Sequence, residues 1–403
     1  MNKRKAIITI VGGGNSSYTL ISLLSSAGHK VNLLTPEPEK WSNQVTMELI
    51  LHDGTIKATL PGHLNMISSN PGSIIPESEI IILSLPVSKY RVALHEIAPF
   101  IRRNKKTYIG TIYGQGGFNW MVEEIIDKFQ LKNIVYFSSG LIPWITRVKD
   151  LGKTGLNYGS KIVNVVAVHP DEEYNELQNL LLDDLCYSYF GTGRFVKADN
   201  FISLTLSVDN QIVHLPRLYG LFKKFGGRWK TLAEVPFFYR DYDDLSSGML
   251  AQLDEDYTRI RNKIKELYPD KSFKYMLNYL DLERLSHNSS NTRIKESLTN
   301  SKELNQIATP VIQNEEGFWI FDKNHRFFTD DLYYGLAIAK WIGQKLSLDT
   351  PAIDQIIRWA QDVVEDTILN ENGMVDVERS SNPEFKYGIP STYGFKTIDS
   401  IMD

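Results

Sequence analysis

The chain has 403 residues, which is enough for two or three domains of ordinary size. Its formal net charge is −4 and no basic stripe stands out, so nucleic acid is not indicated as a partner. The one cysteine, Cys186, excludes an internal disulfide and the thiolate clusters of structural metal sites. We expect Cys186 to be a small buried hydrophobe, and we expect no metal.

No apolar run reaches the length of a membrane-spanning helix. The apolar residues that follow Lys5 end in glycines rather than at a small-residue cleavage site, which argues against a signal peptide. We therefore expect a cytoplasmic protein that does not bind a membrane. A homo-oligomer is compatible with the sequence, which does not define the oligomeric state.

The first predicted strand, residues 6–11, ends directly in a glycine-rich loop. Gly12 and Gly14 occupy the first two glycine positions of the pattern G-x-G-x-x-G, and Ser17 stands at the third. A helical stretch and a second apolar strand, residues 30–34, complete a strand–helix–strand unit of about thirty residues. The pattern predicts that Gly12, Gly14, Asn15 and Ser16 hold the pyrophosphate of a dinucleotide at a helix N-terminus.

The residues after the second strand bear on the choice of cofactor. An acidic residue at this point usually accepts hydrogen bonds from the ribose of NAD, but Thr35 occupies the position here. The Thr35 hydroxyl and the Lys40 ammonium could hold a 2′-phosphate, whereas Glu37 could bind a 2′-hydroxyl. The sequence favours NADP, with NAD as the alternative.

The rest of the first half alternates strands and helices. Asp53-Gly54 is typical of a hairpin turn, and the apolar run 80–83 predicts a strand that is buried on both faces. That strand is followed by Pro86, a further expected cofactor contact. The strand ends at Gly12, Ser84 and Gly114 should line one crevice, because ligands bind beyond the carboxyl ends of parallel strands.

Helical spacing dominates from about residue 171. The longest predicted stretches are residues 202–222, 249–267, 333–346 and 353–370. We therefore predict an α/β plus all-α protein, in which a Rossmann doubly wound sheet (residues 1–190) is followed by an α-helical substrate domain (residues 191–403). Ligand sites commonly lie where two such domains meet.

Two clusters in the second half are candidates for chemistry. His214 follows Asn210 by four residues, so both side chains lie on one face of a predicted helix. From spacing alone, a histidine buried in the core and an acid–base histidine are both open. In the second cluster Arg326 lies among aromatic residues, and Thr329 is predicted to cap a helix whose first turn contains Asp330 and Asp331.

These motifs resemble the octopine/nopaline dehydrogenase family, the opine dehydrogenases. The resemblance spans most of the chain, from the glycine loop through Asn210-x-x-x-His214-x-Pro216 to Arg326-x-x-Thr329-Asp-Asp331. Further matching segments are 84–86, 114–117, 141–147 and 238–259. Members of the family join an α-keto acid to the amine of an amino acid by reduction with NADH or NADPH.

The resemblance implies roles for matching residues. His214 would be the acid–base residue and Asp331 its partner, Arg326 would bind a substrate carboxylate, and Asn210 would position the substrate. The family usually has Glu-Asp-Val-Pro where this chain has residues 330–333, Asp-Asp-Leu-Tyr. This difference leaves the choice between Asp330 and Asp331 open.

Two other functions remain open from the sequence. One is a hydroxy-acid dehydrogenase of the ketopantoate-reductase or glycerol-phosphate-dehydrogenase type, although no lysine stands in a comparable motif. The other is a non-catalytic sensor that binds a dinucleotide.

Overall fold

The computed structural model describes residues 4–51, 53–301, 304–375 and 388–402. The chain forms two compact units. The first comprises Met1–Gly114 and Phe118–Leu204, and the second comprises Gln115–Gly117 and Thr205–Asp403. The predicted boundary near residue 190 precedes the strand Arg194–Lys197, which pairs within the main sheet of the first unit.

The first unit is built on strands and short helices. The strands are β1 (Ile7–Val11), β2 (Lys30–Leu34), β3 (Gln44–Ile50), β4 (Ile56–His63), β5 (Met66–Ser68), β6 (Ile80–Leu83), β7 (Thr107–Thr111), β8 (Ile134–Ser139), β9 (Trp144–Asp150), β10 (Thr154–Ser160), β11 (Val163–His169) and β12 (Arg194–Lys197). The helices are α1 (Ser17–Ser26), α2 (Pro71–Ile74), α3 (Tyr90–Ile97), α4 (Phe118–Phe129), α5 (Tyr174–Leu177), α6 (Asp183–Leu185) and α7 (Tyr187–Phe190). A further helix, α8 (Ile202–Leu206), lies across the division of the chain.

The main sheet has the order β12-β11-β8-β7-β6-β1-β2-β5. The strands from β5 to β8 are parallel, and the order reverses between β1 and β6, as in a Rossmann fold. This confirms the predicted doubly wound sheet. The last two strands depart from a purely parallel sheet, because β11 runs antiparallel to β8 and β12 follows the direction of β11.

The core of this unit lies against the central strands. All four residues of β6 are fully buried, as the continuous apolar run predicts for a strand covered on both faces. A second sheet has the order β4-β3-β10-β9. Its β3 and β4 are antiparallel, and Asp53 accepts hydrogen bonds from the backbone and the hydroxyl of Thr55 at 2.9 and 2.6 Å. The predicted hairpin turn is confirmed.

The second unit is mainly helical, as predicted. Its helices are α9 (Asn210–Phe225), α10 (Asp244–Leu267), α11 (Tyr279–His287), α12 (Ile294–Thr299), α13 (Arg326–Thr329), α14 (Ala337–Lys345) and α15 (Pro351–Val364). A π-helical turn, Leu332–Leu336, precedes α14. A small sheet contains β13 (Arg228–Trp229), β14 (Val311–Gln313) and β15 (Trp319–Phe321) in the order β13-β15-β14.

One predicted helix is broken. The stretch 202–222 was expected to be continuous, but α8 ends at Leu206 and α9 begins at Asn210. Asp209 ends the continuity because its carboxylate accepts a hydrogen bond from the Asn210 backbone at 2.6 Å. The Ser207 hydroxyl donates to the carbonyl of Tyr275 at 2.7 Å, which holds the break in place. Within the described ranges, none of the helices combines the length and apolar character needed to cross a membrane.

Candidate active site

The glycine-rich loop has the geometry that close approach of a phosphate requires. Gly12 has φ +99°, and a Cβ atom there would lie 2.3 Å from Leu85 Cδ2 and 2.8 Å from the Ser84 carbonyl oxygen. A residue with a side chain therefore does not fit at this position. Ser17 is fully buried, and its hydroxyl hydrogen-bonds to the Gly12 carbonyl at 2.9 Å and to the Ser84 hydroxyl at 3.0 Å. These bonds explain how a serine replaces the third glycine.

The helix that follows the loop offers its N-terminus to an anion. The first turn of α1 contains no acidic residue, and Ser16 makes no side-chain capping bond to it. The Ser16 hydroxyl is instead 3.2 Å from the Thr146 hydroxyl, and the Asn15 side chain is exposed. Backbone N–H groups at such a helix start favour a negative charge, so the predicted pyrophosphate fits this loop.

Other predicted cofactor residues lie at the same edge of the sheet. The register aligns the last residue of β1 with the last residues of β2 and β6. Thr35 and Pro86 come shortly after β2 and β6, so the structure brings them to the end of the sheet where Gly12 lies. Thr35 is buried and its backbone N–H donates to the Ser68 carbonyl at 3.0 Å.

Lys40, which was predicted to hold a 2′-phosphate, is already engaged. Its exposed ammonium hydrogen-bonds to the carboxylate of Glu37, and this bond raises the pKa of Lys40. The Glu37 backbone N–H lies 3.5 Å from the Thr35 hydroxyl. The three side chains are neighbours, but Glu37 partly neutralises the charge that would attract a phosphate.

The structure pairs His214 with Asp331. Nδ1 of His214, on α9, lies 2.7 Å from Oδ2 of Asp331, which directly precedes the π-helical turn. A close approach of the two segments makes this pair possible, because a Cβ atom on Gly335 would lie 2.1 Å from Gln211 Cγ. The geometry therefore selects Asp331 over Asp330, which accepts a 3.5 Å hydrogen bond from Thr329 instead.

The predicted cap at Thr329 is wrong. Thr329 is the last residue of the short helix α13, which is capped by His325 through a 3.4 Å bond from the Phe327 backbone. The chain continues into the π-helical turn rather than starting a capped α-helix. Such turns are frequent at functional sites because the extra residue changes the direction in which side chains point.

Aromatic side chains enclose the imidazole of His214, which has no exposed surface. The Phe327 ring stacks on it at 3.8 Å between centroids, and Phe238 contacts it edge-on at 5.6 Å. The hydroxyl of Tyr239 lies 2.8 Å from Nε2. Sequence reasoning missed Tyr239, since 25 residues separate it from His214 and no spacing links them. The one sequence feature that could have pointed to Tyr239 is its position in the segment 238–259, which contributes to the family resemblance.

Burial shifts the proton affinities of the pair in opposite directions. It raises the pKa of Asp331 to about 7, against a smaller lowering effect of the Arg326 charge. It lowers the pKa of His214 well below its ordinary range, and Arg326 lowers it further while Asp209 acts in the opposite sense. Both directions favour the uncharged forms, a protonated carboxyl group and a neutral imidazole.

The two predicted substrate residues are placed differently. Arg326 is exposed, its guanidinium lies 5.4 Å from the centroid of the Phe327 ring, and it forms no ion pair within the part of the chain that the structure describes. An exposed guanidinium of this kind can bind an anionic group. Asn210 is the first residue of α9, one turn before His214, but the imidazole nitrogens bond to Asp331 and Tyr239 instead.

A cavity of about 360 Å³ elsewhere in the second unit is lined by residues that include Arg217, Phe237 and Arg240. Neither His214 nor Asp331 lines it, so it is not the site of the proposed chemistry.

Cys186 is fully buried, and burial raises the pKa of its thiol to about 12, which confirms the expected hydrophobe. Among the described residues, no group of three metal-ligating side chains is found.

Comparisons with known proteins agree with the resemblance found in the sequence. Residues 197–364 match the sequence model of the family described as NAD/NADP octopine/nopaline dehydrogenase, alpha-helical domain. The opine dehydrogenase of Haliotis discus hannai is 24% identical over an alignment that covers 99% of each chain.

Solved structures share the fold. Octopine dehydrogenase in complex with NADH and agmatine superposes with a TM-score of 0.81 at 22% identity, covering 99% of this chain and 98% of that one. The same enzyme with NADH and L-arginine, or with NADH and pyruvate, gives 0.80 and 0.79. Yersinopine dehydrogenase with bound NADP+ gives 0.62 at 13% identity, covering 96% of this chain and 98% of that one. The resemblance drawn from the sequence is therefore confirmed: residues 197–364 match the alpha-helical domain model of the octopine/nopaline dehydrogenase family, and the chain is similar to opine dehydrogenases over almost its full length.

Proposed function

We propose that this protein is an NAD(P)H-dependent opine dehydrogenase, an oxidoreductase that joins an α-keto acid to the amine of an amino acid by reductive condensation. The buried pair of His214 and Asp331, close to the exposed charge of Arg326, carries the proposal. Relatives support it, because octopine dehydrogenase structures hold NADH with L-arginine or with pyruvate, an amino acid and an α-keto acid.

The reaction needs a proton donor at the carbonyl oxygen of the keto acid. The amine nitrogen attacks the carbonyl carbon of the keto acid and gives up one proton to its oxygen, which forms a carbinolamine. A second proton on this oxygen lets the C–O bond break and water leave, and the carbon of the resulting C=N bond then takes a hydride. The pair of Asp331 and His214 supplies the proton for the leaving oxygen, and in the reverse direction it accepts one. Bound NAD(P)H supplies the hydride.

Substrate orientation is the proposed role of Arg326. Its guanidinium can bind the keto acid carboxylate through two parallel hydrogen bonds, which fixes the carbonyl relative to the proton donor. Asn210, half-buried at the start of α9, is proposed to contribute a further polar contact.

The cofactor proposal rests on the first unit. Gly12, Gly14, Asn15 and Ser16 are proposed to hold the pyrophosphate, and Pro86 to contact the dinucleotide at the neighbouring strand end. NADP is the preferred cofactor from Thr35 and Lys40, with NAD as the alternative. Because Glu37 bonds to Lys40, we infer that Glu37 reduces this preference and that both cofactors are accepted.

The deciding experiment is a substrate screen. Purified protein is given NADH or NADPH, one keto acid (pyruvate or 2-oxoglutarate) and one amino acid from a panel, and loss of reduced-cofactor absorbance is followed. We expect oxidation only when keto acid and amine are both present, with a secondary amine as the product by mass spectrometry. Oxidation with keto acid alone would instead indicate a hydroxy-acid dehydrogenase.

A variant separates an enzyme from a dinucleotide sensor. His214→Ala should lower turnover by orders of magnitude while cofactor binding is retained, because the imidazole lies outside the glycine loop. His287→Ala, which changes an exposed histidine at the end of α11, is the matched control and should behave as wild type.

A cytoplasmic location and a homo-oligomer stay predictions from the sequence.

A further inference from the structure

Both nitrogens of the His214 imidazole are bonded. Nδ1 lies 2.7 Å from Asp331 Oδ2 and Nε2 lies 2.8 Å from the Tyr239 hydroxyl. The imidazole has no exposed surface, and one face is covered by Phe327. A substrate therefore cannot touch the imidazole in this arrangement, although the proposed function requires a proton to pass between them.

Tyr239 is the most exposed of the three residues in this hydrogen-bonded chain. It retains 8% of its surface, against 3% for Asp331 and none for His214. We propose that Tyr239 is the terminal proton donor of a relay that runs from Asp331 through His214 to the substrate oxygen. This inference rests on the proposed function and adds a catalytic residue to it.

The relay moves one proton in balance. It begins with the proton on Asp331 Oδ2, directed at His214 Nδ1, and with Nε2–H directed at the Tyr239 hydroxyl. The Tyr239 O–H bond breaks as the substrate oxygen gains a proton. The tyrosine oxygen takes the proton from Nε2, and Nδ1 takes the proton from the carboxyl group. Asp331 ends as a carboxylate, and the imidazole is again neutral in its other tautomer. The substrate oxygen, which already holds one proton from the attacking amine, leaves as water as its bond to carbon breaks.

The opposite directions of the two pKa shifts fit this starting state. Burial favours the protonated carboxyl group of Asp331 and the neutral imidazole of His214. Donation from Oδ2 to Nδ1 leaves the imidazole proton on Nε2, where it faces Tyr239.

The backbone around Tyr239 is fixed, which argues against a tyrosine that swings aside. The Phe238 N–H donates to the Ile307 carbonyl at 2.9 Å, and the Tyr242 N–H donates to the Tyr239 carbonyl at 3.0 Å. Two neighbouring aromatic residues are also buried: Phe238 has no exposed surface and Tyr242 is 1% exposed. These contacts fix the backbone that carries Tyr239, whose hydroxyl lies 2.8 Å from Nε2.

Tyr239→Phe tests the relay because it removes the hydroxyl and keeps the ring. We expect kcat to fall by about 10²-fold or more, with the keto acid KM changed by less than about threefold, since general acid catalysis is lost and binding is not. The matched control is Tyr242→Phe, which removes a buried hydroxyl that bonds to the Val213 carbonyl at 3.0 Å and should keep kcat within about threefold. Unfolding midpoints and cofactor affinity show that both variants are folded.

A second measurement is specific to the moving protons. We expect a plot of wild-type kcat against the deuterium fraction of the solvent to be curved rather than linear, because several protons move in one step. The curvature should be lost in Tyr239→Phe. A Tyr239→Phe variant with kcat within tenfold of wild type, or faster, would overturn the relay, since the hydroxyl would then be dispensable or a barrier.

Failure of the proposed function is distinguishable from failure of the relay. If wild type oxidises cofactor without an amine, the opine reaction fails whatever Tyr239 does. The Tyr239 contact is then still tested by the ¹⁵N resonances of His214, whose Nε2 signal should shift in Tyr239→Phe and stay in Tyr242→Phe. An unchanged Nε2 signal would overturn the contact on which the relay depends.

Discussion

Asp331→Asn separates the proton chemistry of the site from its shape. Asp331 is 3% exposed, and its Oδ2 lies 2.7 Å from His214 Nδ1, so an amide occupies the same space and still bonds to the imidazole. What the amide lacks is a group that titrates. Burial raises the pKa of Asp331 to about 7, and the variant has no counterpart to it.

The activity of the wild type should depend on pH in opposite ways in the two directions. In the reductive direction the substrate oxygen takes up a proton, so kcat/KM should fall above about pH 7 as Asp331 of the free protein loses its proton. In the oxidative direction the pair accepts the proton, so kcat/KM should rise through the same pH. Loss of a general acid–base group lowers rates by about 10²–10⁴-fold. We expect Asp331→Asn to show a decrease of that size and no midpoint near pH 7 in initial rates measured in both directions.

Unfolding free energies give a second, independent measure of the same variant. Between the ordinary pKa values of 3.8 and 6.5, the unfolded chain holds one proton on this pair, bound to the imidazole. The folded pair also holds one, on Asp331, so the pair adds little pH dependence to wild-type stability. In Asp331→Asn only the depressed pKa of His214 remains. Its contribution is present above about pH 6.5 and is lost as pH falls, by about 1.4 kcal/mol per pH unit.

Asp330→Asn is the matched control. Asp330 directly precedes Asp331 and is also buried, but it bonds to Thr329 rather than to His214. It should keep the wild-type pH profile of activity. The reasoning is refuted if Asp331→Asn retains a midpoint near pH 7, since another group would then supply the proton. The free energy of unfolding, measured with urea at about pH 5 and about pH 7, gives a second check. The reasoning is also refuted if its change between these two pH values is the same for the variant and for the wild type.

Three further variants and one control test the proposed binding sites. Arg326→Leu should raise the keto acid KM by about 10²-fold through loss of charged hydrogen bonds, and an unchanged KM in steady-state rates would count against a carboxylate contact. Gly12→Ala should weaken cofactor binding at least about tenfold in a fluorescence titration, because φ +99° and the filled space oppose a side chain. Gly54→Ala, with φ +85° but open space and no cofactor role, is its control and should bind normally. Glu37→Gln should raise the ratio of kcat/KM for NADPH to that for NADH by about fivefold by releasing Lys40, and an unchanged ratio would remove both residues from cofactor selection.

The sequence predicted the cofactor half of the fold well because its signals are local. A strand, a glycine loop and a helix follow one another within the first 26 residues, and the loop conformation depends on Gly12 itself. The apolar run of β6 likewise reports burial on both faces directly. The reversed direction of β11 and β12 was not predictable from such patterns, because it depends on which strand each one meets.

The second unit and its candidate site were only partly predictable. The spacing placed His214 on a helix, but it could not choose between Asp330 and Asp331, since that choice depends on helical phase. The π-helical turn after Asp331 changes this phase, and Thr329 ends a helix where the sequence suggested that one begins. Tyr239 had no periodic relation to its partner, so only the tertiary packing reveals it.

We expect the exposed charge of Arg326 to couple substrate binding to the proton that the proposed reaction uses. That charge lowers the pKa of both Asp331 and His214 in the free protein. A keto acid carboxylate bound to the guanidinium neutralises the charge, so the proton affinity of the pair should rise when substrate is present. The pH dependence of kcat/KM reports the free enzyme and that of kcat the substrate complex. In the reductive direction the midpoint for kcat should therefore lie at higher pH than the midpoint for kcat/KM, and the two should coincide in Arg326→Leu. Coincident midpoints in wild type would show that the carboxylate binds elsewhere.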